Sequence, residues 1–233
     1  MTELENIADG VWGVRSRLRS GLGVVFPLRA TVIRLRDGGL WTHSPVRFSD
    51  AEAAAIDALG PVRHVVAPNA FHHLFAGDAL RRWPGATLSK SPALVKKRPD
   101  LAPAHVLGDG TPPWPISEIE AVPLGGAPMV RESAFIHVDS GTLLLTDAAF
   151  NIRVPETAWS SVWFSLTGAN GRFVMSRIYR MVVKDRAAAA ESARAVLERE
   201  IRRVVPCHGE VVTEDAREAL LAAWAWLLQG RGI

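Results

Sequence analysis

Short apolar runs closed by turn residues alternate along this chain with stretches whose apolar positions recur at helical spacing, a pattern that predicts a mixed α/β protein. Residues 11–15 follow the turn Asp9-Gly10, and residues 31–36 and Leu40–His43 flank Asp37-Gly38-Gly39. Asp-Gly between apolar runs is a strong hairpin signal. Ser49 followed by Glu52 has the spacing of a capping box and predicts a helix that Gly60-Pro61 closes; Val62–Ala67 then returns as a strand. From 72 to 83 the spacing predicts a helix burying Phe71, Leu74, Phe75 and Leu80, stopped by Pro84-Gly85.

Further on, a strand is predicted at 86–89, a helix at 92–97, and an ordered surface loop at 111–115 that carries Trp114. Strands follow at 119–124, 134–138 and 142–146. Residues 151–171 lack clean periodicity and predict an irregular or short-helical cover. Ala190, Ala193, Leu197 and Ile201 mark a helix with Asp185 as its candidate cap, and Leu220, Leu221, Trp224, Leu227 and Leu228 mark a terminal one. The strand blocks before residue 67 and between 119 and 146 suggest two similar strand-rich units facing each other.

Bulk composition narrows the classes without choosing among them. At 233 residues the chain suits one domain. A formal charge of +3 is too small an excess to mark a nucleic-acid surface, and no apolar stretch is long enough for a membrane span. The first residues lack a basic head and an apolar signal core, which predicts a cytoplasmic protein. Cys207 is the only cysteine, so one chain can build neither a disulfide nor a thiolate cluster, and a metal site would have to use histidine and carboxylate.

Three predicted strand ends carry such residues. His72 and His73 follow the strand 62–67 and its stop Pro68-Asn69; Asp147 follows Leu143-Leu144-Leu145-Thr146; His208 follows Val204-Val205-Pro206-Cys207. His-His, Asp and His at three strand ends are more than a core needs. Neighbours on a strand point to opposite faces, so Cys207 and His208 do not form a nucleophile–base pair, and Cys207 reads as a small buried apolar residue. His64, His105 and His137 are ordinary satisfied polar residues. His43 either supports the ligands from behind or shapes its loop, and Asn69 either caps the following helix or orients a ligand.

Taken together, Asn69-Ala-Phe-His72-His73, the turn Leu40-Trp-Thr-His-Ser-Pro45, Thr146-Asp147 and His208-Gly209 resemble the metallo-β-lactamase-like superfamily, within it an uncharacterised bacterial branch. The likeness runs from about Gly10 to the terminal helix. It implies an α/β (α+β) fold of four layers, αββα, as a single domain over 1–233, with metal ligands on loops along one edge of the sheets. The superfamily's motif is H-x-H-x-D-H; setting its final D-H on His72-His73 leaves Pro68 and Ala70 where the first two histidines belong. A third ligand of that first site would fall near 126–130, which hold no histidine. The resemblance thus implies that the first of two metal sites cannot form, while the second maps onto His72, His73, Asp147 and His208 with one carboxylate exchanged for imidazole.

Three imidazoles and a carboxylate suit one zinc ion per chain, with iron or nickel as alternatives. Such a centre would acidify a water and make the chain a metal-dependent hydrolase of a small-molecule substrate, with Asp147 or Glu132 as base. Glu132, near the place of the lost histidine, is either a carboxylate ligand or base, or a charge on a loop between strands. Four protein donors can also close a tetrahedral shell and leave no place for water. The alternative is therefore a non-catalytic member of the fold that binds a ligand or serves a structural or oligomeric role. No nucleic acid or membrane is expected as a partner, and a homo-oligomer is compatible with the sequence.

Overall fold

The computed structural model of the chain describes residues 4–229. Strands β1 (Glu5–Ala8), β2 (Val11–Arg19), β3 (Val25–Arg34) and β4 (Leu40–His43) pair antiparallel. Beyond β4 the pairing turns parallel, with β5 (Val62–Ala67), β6 (Thr87–Lys90) and β7 (His105–Val106) completing a seven-stranded sheet in chain order. Parallel neighbours need crossovers, and α1 (Asp50–Asp57), α2 (Ala76–Arg82) and α3 (Leu94–Lys97) lie in them.

The second sheet holds β8 (Ile119–Pro123), β9 (Ser133–His137) and β10 (Thr142–Leu145). A short ladder of β11 (Phe150–Asn151) with β12 (Phe173–Val174) and the helices α4 (Ala158–Leu166), α5 (Arg177–Val182) and α6 (Arg186–Leu197) precede β13 (Arg203–Pro206), which joins β10 in parallel. Its order is β13-β10-β9-β8, and α7 (Ala216–Ala223) and α8 (Ala225–Leu228) end the described chain. Among the described residues no helix is long and apolar enough to cross a membrane.

The side-chain alternation of the strands builds the layers. Val65 packs with Ala53, Ile56, Ala76 and Ala79 of the helices outside the first sheet, while its neighbour Val66 points inward to Trp41, Trp114, Phe135, Leu144 and Val205 between the sheets. On the other side Leu143, Leu145 and Val204 face α6 and α7 through Ala193, Val196 and Leu220. Three apolar layers separate helices, sheet, sheet and helices, as the αββα expectation requires. The two sheets do face each other; the crossovers that add β6 and β7 widen only the first.

Local signals held where a side chain closes a backbone bond. The capping box at Ser49 and Glu52 is formed, and Asp185 accepts from the Ala188 N–H. The predicted helix 72–83 shortens to α2, because residues 71–75 turn sideways before it starts. Its buried face is Ala76 and Ala79, whereas Phe71 and Leu74 are half exposed. Trp114 leaves its surface loop for the layer between the sheets, where its indole N–H donates to the Ile119 carbonyl. The terminal helix breaks at Trp224, whose indole N–H is held by the Ala148 carbonyl.

Candidate metal centre

Loops after β5, β10 and β13 meet at one edge, and side-chain hydrogen bonds fix each loop before any ion is considered. Asn69 caps the backbone after β5, accepting from the Phe71 and His72 N–H groups at 2.8 Å each. Its amide also donates to Asp147 Oδ2 at 2.6 Å and Thr146 Oγ1 at 2.9 Å. One buried residue therefore performs both of its candidate roles, capping the turn and orienting the carboxylate. Behind Asp147 lies Glu132, only 1% exposed, whose carboxylate accepts the N–H groups of Thr146, Asp147 and Ala148 at 2.7, 3.0 and 3.1 Å.

The third loop is pinned from below. Arg29, also 1% exposed, donates to the carbonyls of Pro206 and Gly209 on either side of His208 and pairs with Glu5. Gly209 adopts φ +105°, and a Cβ there would lie 2.0 Å from the Asn151 carbonyl oxygen, so only glycine lets the chain pass. The His208 ring is wedged edge-on between Phe26 and Phe150.

These constraints bring His72, Asp147 and His208 together. His72 Nε2 lies 3.1 Å from His208 Nε2 and 3.6 Å from Asp147 Oδ2, and His208 Nε2 lies 3.4 Å from Asp147 Oδ1. A tetrahedral shell with bonds of about 2.0–2.1 Å has edges of about 3.3–3.4 Å between ligand atoms, and the closest approaches of the three side chains, made through different oxygens of Asp147, lie near that spacing. Each ring is aimed by its other nitrogen. His208 Nδ1 faces the Pro27 carbonyl at 2.9 Å, an acceptor only, so Nδ1 carries the proton and Nε2 of the neutral ring presents a lone pair. His72 Nδ1 faces Ser44 Oγ at 2.7 Å. Ser44 reaches it from φ 49°, a backbone region that costs a non-glycine residue about 1 kcal/mol or more.

Charge follows the same logic. Burial lowers the His72 pKa and favours the neutral, ligand form. Burial alone would raise that of Asp147, but His72 and His208 outweigh it and hold the carboxyl well below the usual range. Two imidazoles and one carboxylate form a set that fits a divalent ion of zinc or iron type. The three are the group of His, Cys, Asp and Glu side chains found close enough to share an ion among the described residues.

Two residues expected at the site are not brought to it. His73, the fourth expected ligand, turns to the opposite side of the chain, where its Nδ1 accepts from Arg98 Nη1 at 2.8 Å. Burial, with Lys97 and Arg98 close by, lowers its pKa to about 4, so it is a neutral acceptor for a guanidinium. In this turn the two rings point apart, and His72 is the one that reaches Asp147 and His208. Glu132, expected as base or ligand, has its carboxylate saturated by backbone donors and does not line the cleft. Burial, then the Asp147 charge, raises its pKa to about 7 against the pull of those donors.

The sequence reading also missed partners. Ser44 lay inside the Leu40–Pro45 motif, where attention went to His43; the latter is wholly buried, stacks on Trp41, and has its pKa lowered by burial to about 3. Cys207 is buried as expected, its thiol pushed up to about 12. Arg29 and the Pro27 carbonyl had no local signal, since they act across about 180 residues of chain.

The three donors line an apolar cleft of about 220 Å³. An ion held by them would face that cleft and have room there for a further ligand.

Solved structures with this architecture are metallo-β-lactamase-like. The metallo-β-lactamase of Pontibacter korlensis superposes with a TM-score of 0.63 at 16% identity, covering 98% of this chain and 99% of the other. That of Hirschia baltica gives 0.62 at 16% identity over 98% of each chain. A putative diflavin flavoprotein fragment from Nostoc sp. PCC 7120 gives 0.64 at 15% identity, covering 97% and 96%. No curated protein matches the chain. Identities this low establish the fold alone. The model of the family described as "Domain of unknown function (DUF4336)" matches residues 9–160, and the chain belongs to that family, an uncharacterised branch with the metallo-β-lactamase-like fold.

Proposed function

We propose that the protein is a hydrolase of a small molecule that depends on one metal ion, zinc in preference to iron or nickel, held by His72 Nε2, His208 Nε2 and Asp147. The observation that carries this reading is the open corner: three converging donors with the cleft in front of them. A bound divalent ion supplies Lewis acidity there and lowers the pKa of a water. The chain's own groups supply the rest. Asn69 holds Oδ2 of Asp147 and so fixes the carboxylate against the two rings, from where an oxygen not bound to the ion takes the proton of a nucleophile in the cleft. Ser44 and the Pro27 carbonyl keep the two rings aimed, and the apolar walls exclude bulk water. The departure of His73 removes the closed four-ligand shell that favoured a purely structural site.

Elemental analysis of protein purified without added metal tests the reading. About one equivalent of zinc is expected, lost in Asp147→Ala, with hydrolysis of an ester, thioester or amide panel that disappears on chelation and returns with zinc. Less than about a tenth of an equivalent of any transition metal, with no uptake on titration, overturns it.

A further inference from the structure

The walls of the cleft say what it accepts. Leu18, Phe26 and Leu28 come from the β2–β3 hairpin, and Val46, Leu74 and Phe75 close the other side. Apart from the three donors, the polar side chains lining it are the hydroxyls of Ser20 and Ser44. No lysine or arginine is among the lining residues. Of the cations beside it, Lys97 donates to the Ala70 carbonyl at 2.7 Å and lies over the Phe71 ring, Arg98 is held by His73 and Asp100, and Arg47 lies over the Phe75 ring, 5.7 Å from its centroid. A phosphorylated or polyanionic substrate would meet no lysine or arginine in the lining, and a polar one would find little beyond the unpaired Ser20 hydroxyl to replace its hydrogen bonds to water.

An apolar group gains on both counts. Phe71 and Leu74 stand 50% and 51% exposed at the mouth, so a ligand lying against them removes their surface from water as well as its own. The volume sets the size. At roughly 30 Å³ per atom-sized unit, as for liquid water, about 220 Å³ holds on the order of six to eight heavy atoms, too few for a helix or a folded partner.

We infer that the cleft binds an unbranched or lightly branched alkyl or acyl chain of about four to six carbons, whose carbonyl end reaches the His72–Asp147–His208 face. The position of the head group rests on the metal reading above; that of the tail rests on the walls alone.

Two calorimetric series separate these parts. Zinc-loaded protein is titrated with straight-chain carboxylates from acetate to octanoate, and metal-free protein with alcohols from ethanol to octanol. Affinity is expected to rise about threefold per methylene in both series, up to about six carbons. Leu74→Glu, at a half-exposed position, should cost octanol at least about tenfold, while Val95→Glu, exposed away from the cleft, should leave it unchanged. Alcohols that follow the chain-length trend while carboxylates ignore zinc would support the apolar cleft and overturn the metal reading. A flat alcohol series, or inorganic phosphate binding the zinc-loaded protein more tightly than octanoate, would overturn the inference.

Discussion

Two neighbouring stretches of one edge, 68–70 with 126–133 and 72 with 147 and 208, carry opposite solutions to the same problem. In the first, where the superfamily resemblance places three histidines, the chain has closed the space with backbone. The Ala70 N–H donates to the Val130 carbonyl at 2.9 Å, the Ser133 N–H to the Pro68 carbonyl at 3.1 Å, and the Gly126 carbonyl accepts the N–H groups of Lys184 and Asp185 at the start of α6. In the second, polar side chains from three loops converge on a point and leave a corner open. A loop that no longer carries ligands can pair its own amides, and pairing makes it rigid. A loop that carries them has to be held by other side chains, here Asn69, Glu132 and Arg29, so that ring nitrogens and carboxylate oxygens stay free.

The comparison can be broken most directly at the converging side. Asp147→Ala or His208→Ala should weaken zinc binding by more than the roughly 10–100-fold that an outer partner costs, as read by titration against a competing chelator. Equal affinity in both variants would mean that the ion, if any, sits elsewhere. Next in size is Glu132→Ala, which strands three buried N–H groups. It should lower unfolding free energy in denaturant by about 3–4 kcal/mol, and a loss under about 1 kcal/mol would show that the clamp is dispensable.

Asn69→Ala tests the joint between the two stretches. Zinc affinity should fall about 10–100-fold while the fold, by circular dichroism, persists. Intact affinity would show that Asp147 needs no external orientation. The smallest effect belongs to His73→Ala, for which zinc affinity should stay within about twofold, with a stability loss of about 1 kcal/mol from the Arg98 contact. A tenfold loss of zinc would return His73 to the shell and close the open corner.

Much of the scaffold was legible before any coordinates. Strands ending in Ala67, Leu145 and Pro206 announce themselves through β-branched and leucine runs, and the Ser49–Glu52 box and the Asp185 cap are complete in local sequence. Of the site, His72, Asp147 and His208 were legible as ligand types at strand ends. The turn 71–75 was not, since its apolar residues fall at helical spacing while serving a cleft instead of a core. Glu132 misled for a related reason. Its place near a missing ligand suggested chemistry, and only the approach of three N–H groups reveals an anchor.

By itself the sequence determined the layers, because alternating strands must hide one face each way and amphipathic helices must cover the outer faces. It also determined that a metal site here would be built from histidine and carboxylate, and the superfamily resemblance implied that the first of two metal sites does not form. Tertiary structure alone decided which histidine of the doublet joins Asp147 and His208, and that this group of three donors lines an apolar cleft. Those outcomes depend on where loops roughly 60 to 140 residues apart come to rest against one another. Spacing along one chain can state which atoms are available, but the directions in which they point are fixed only when the loops pack.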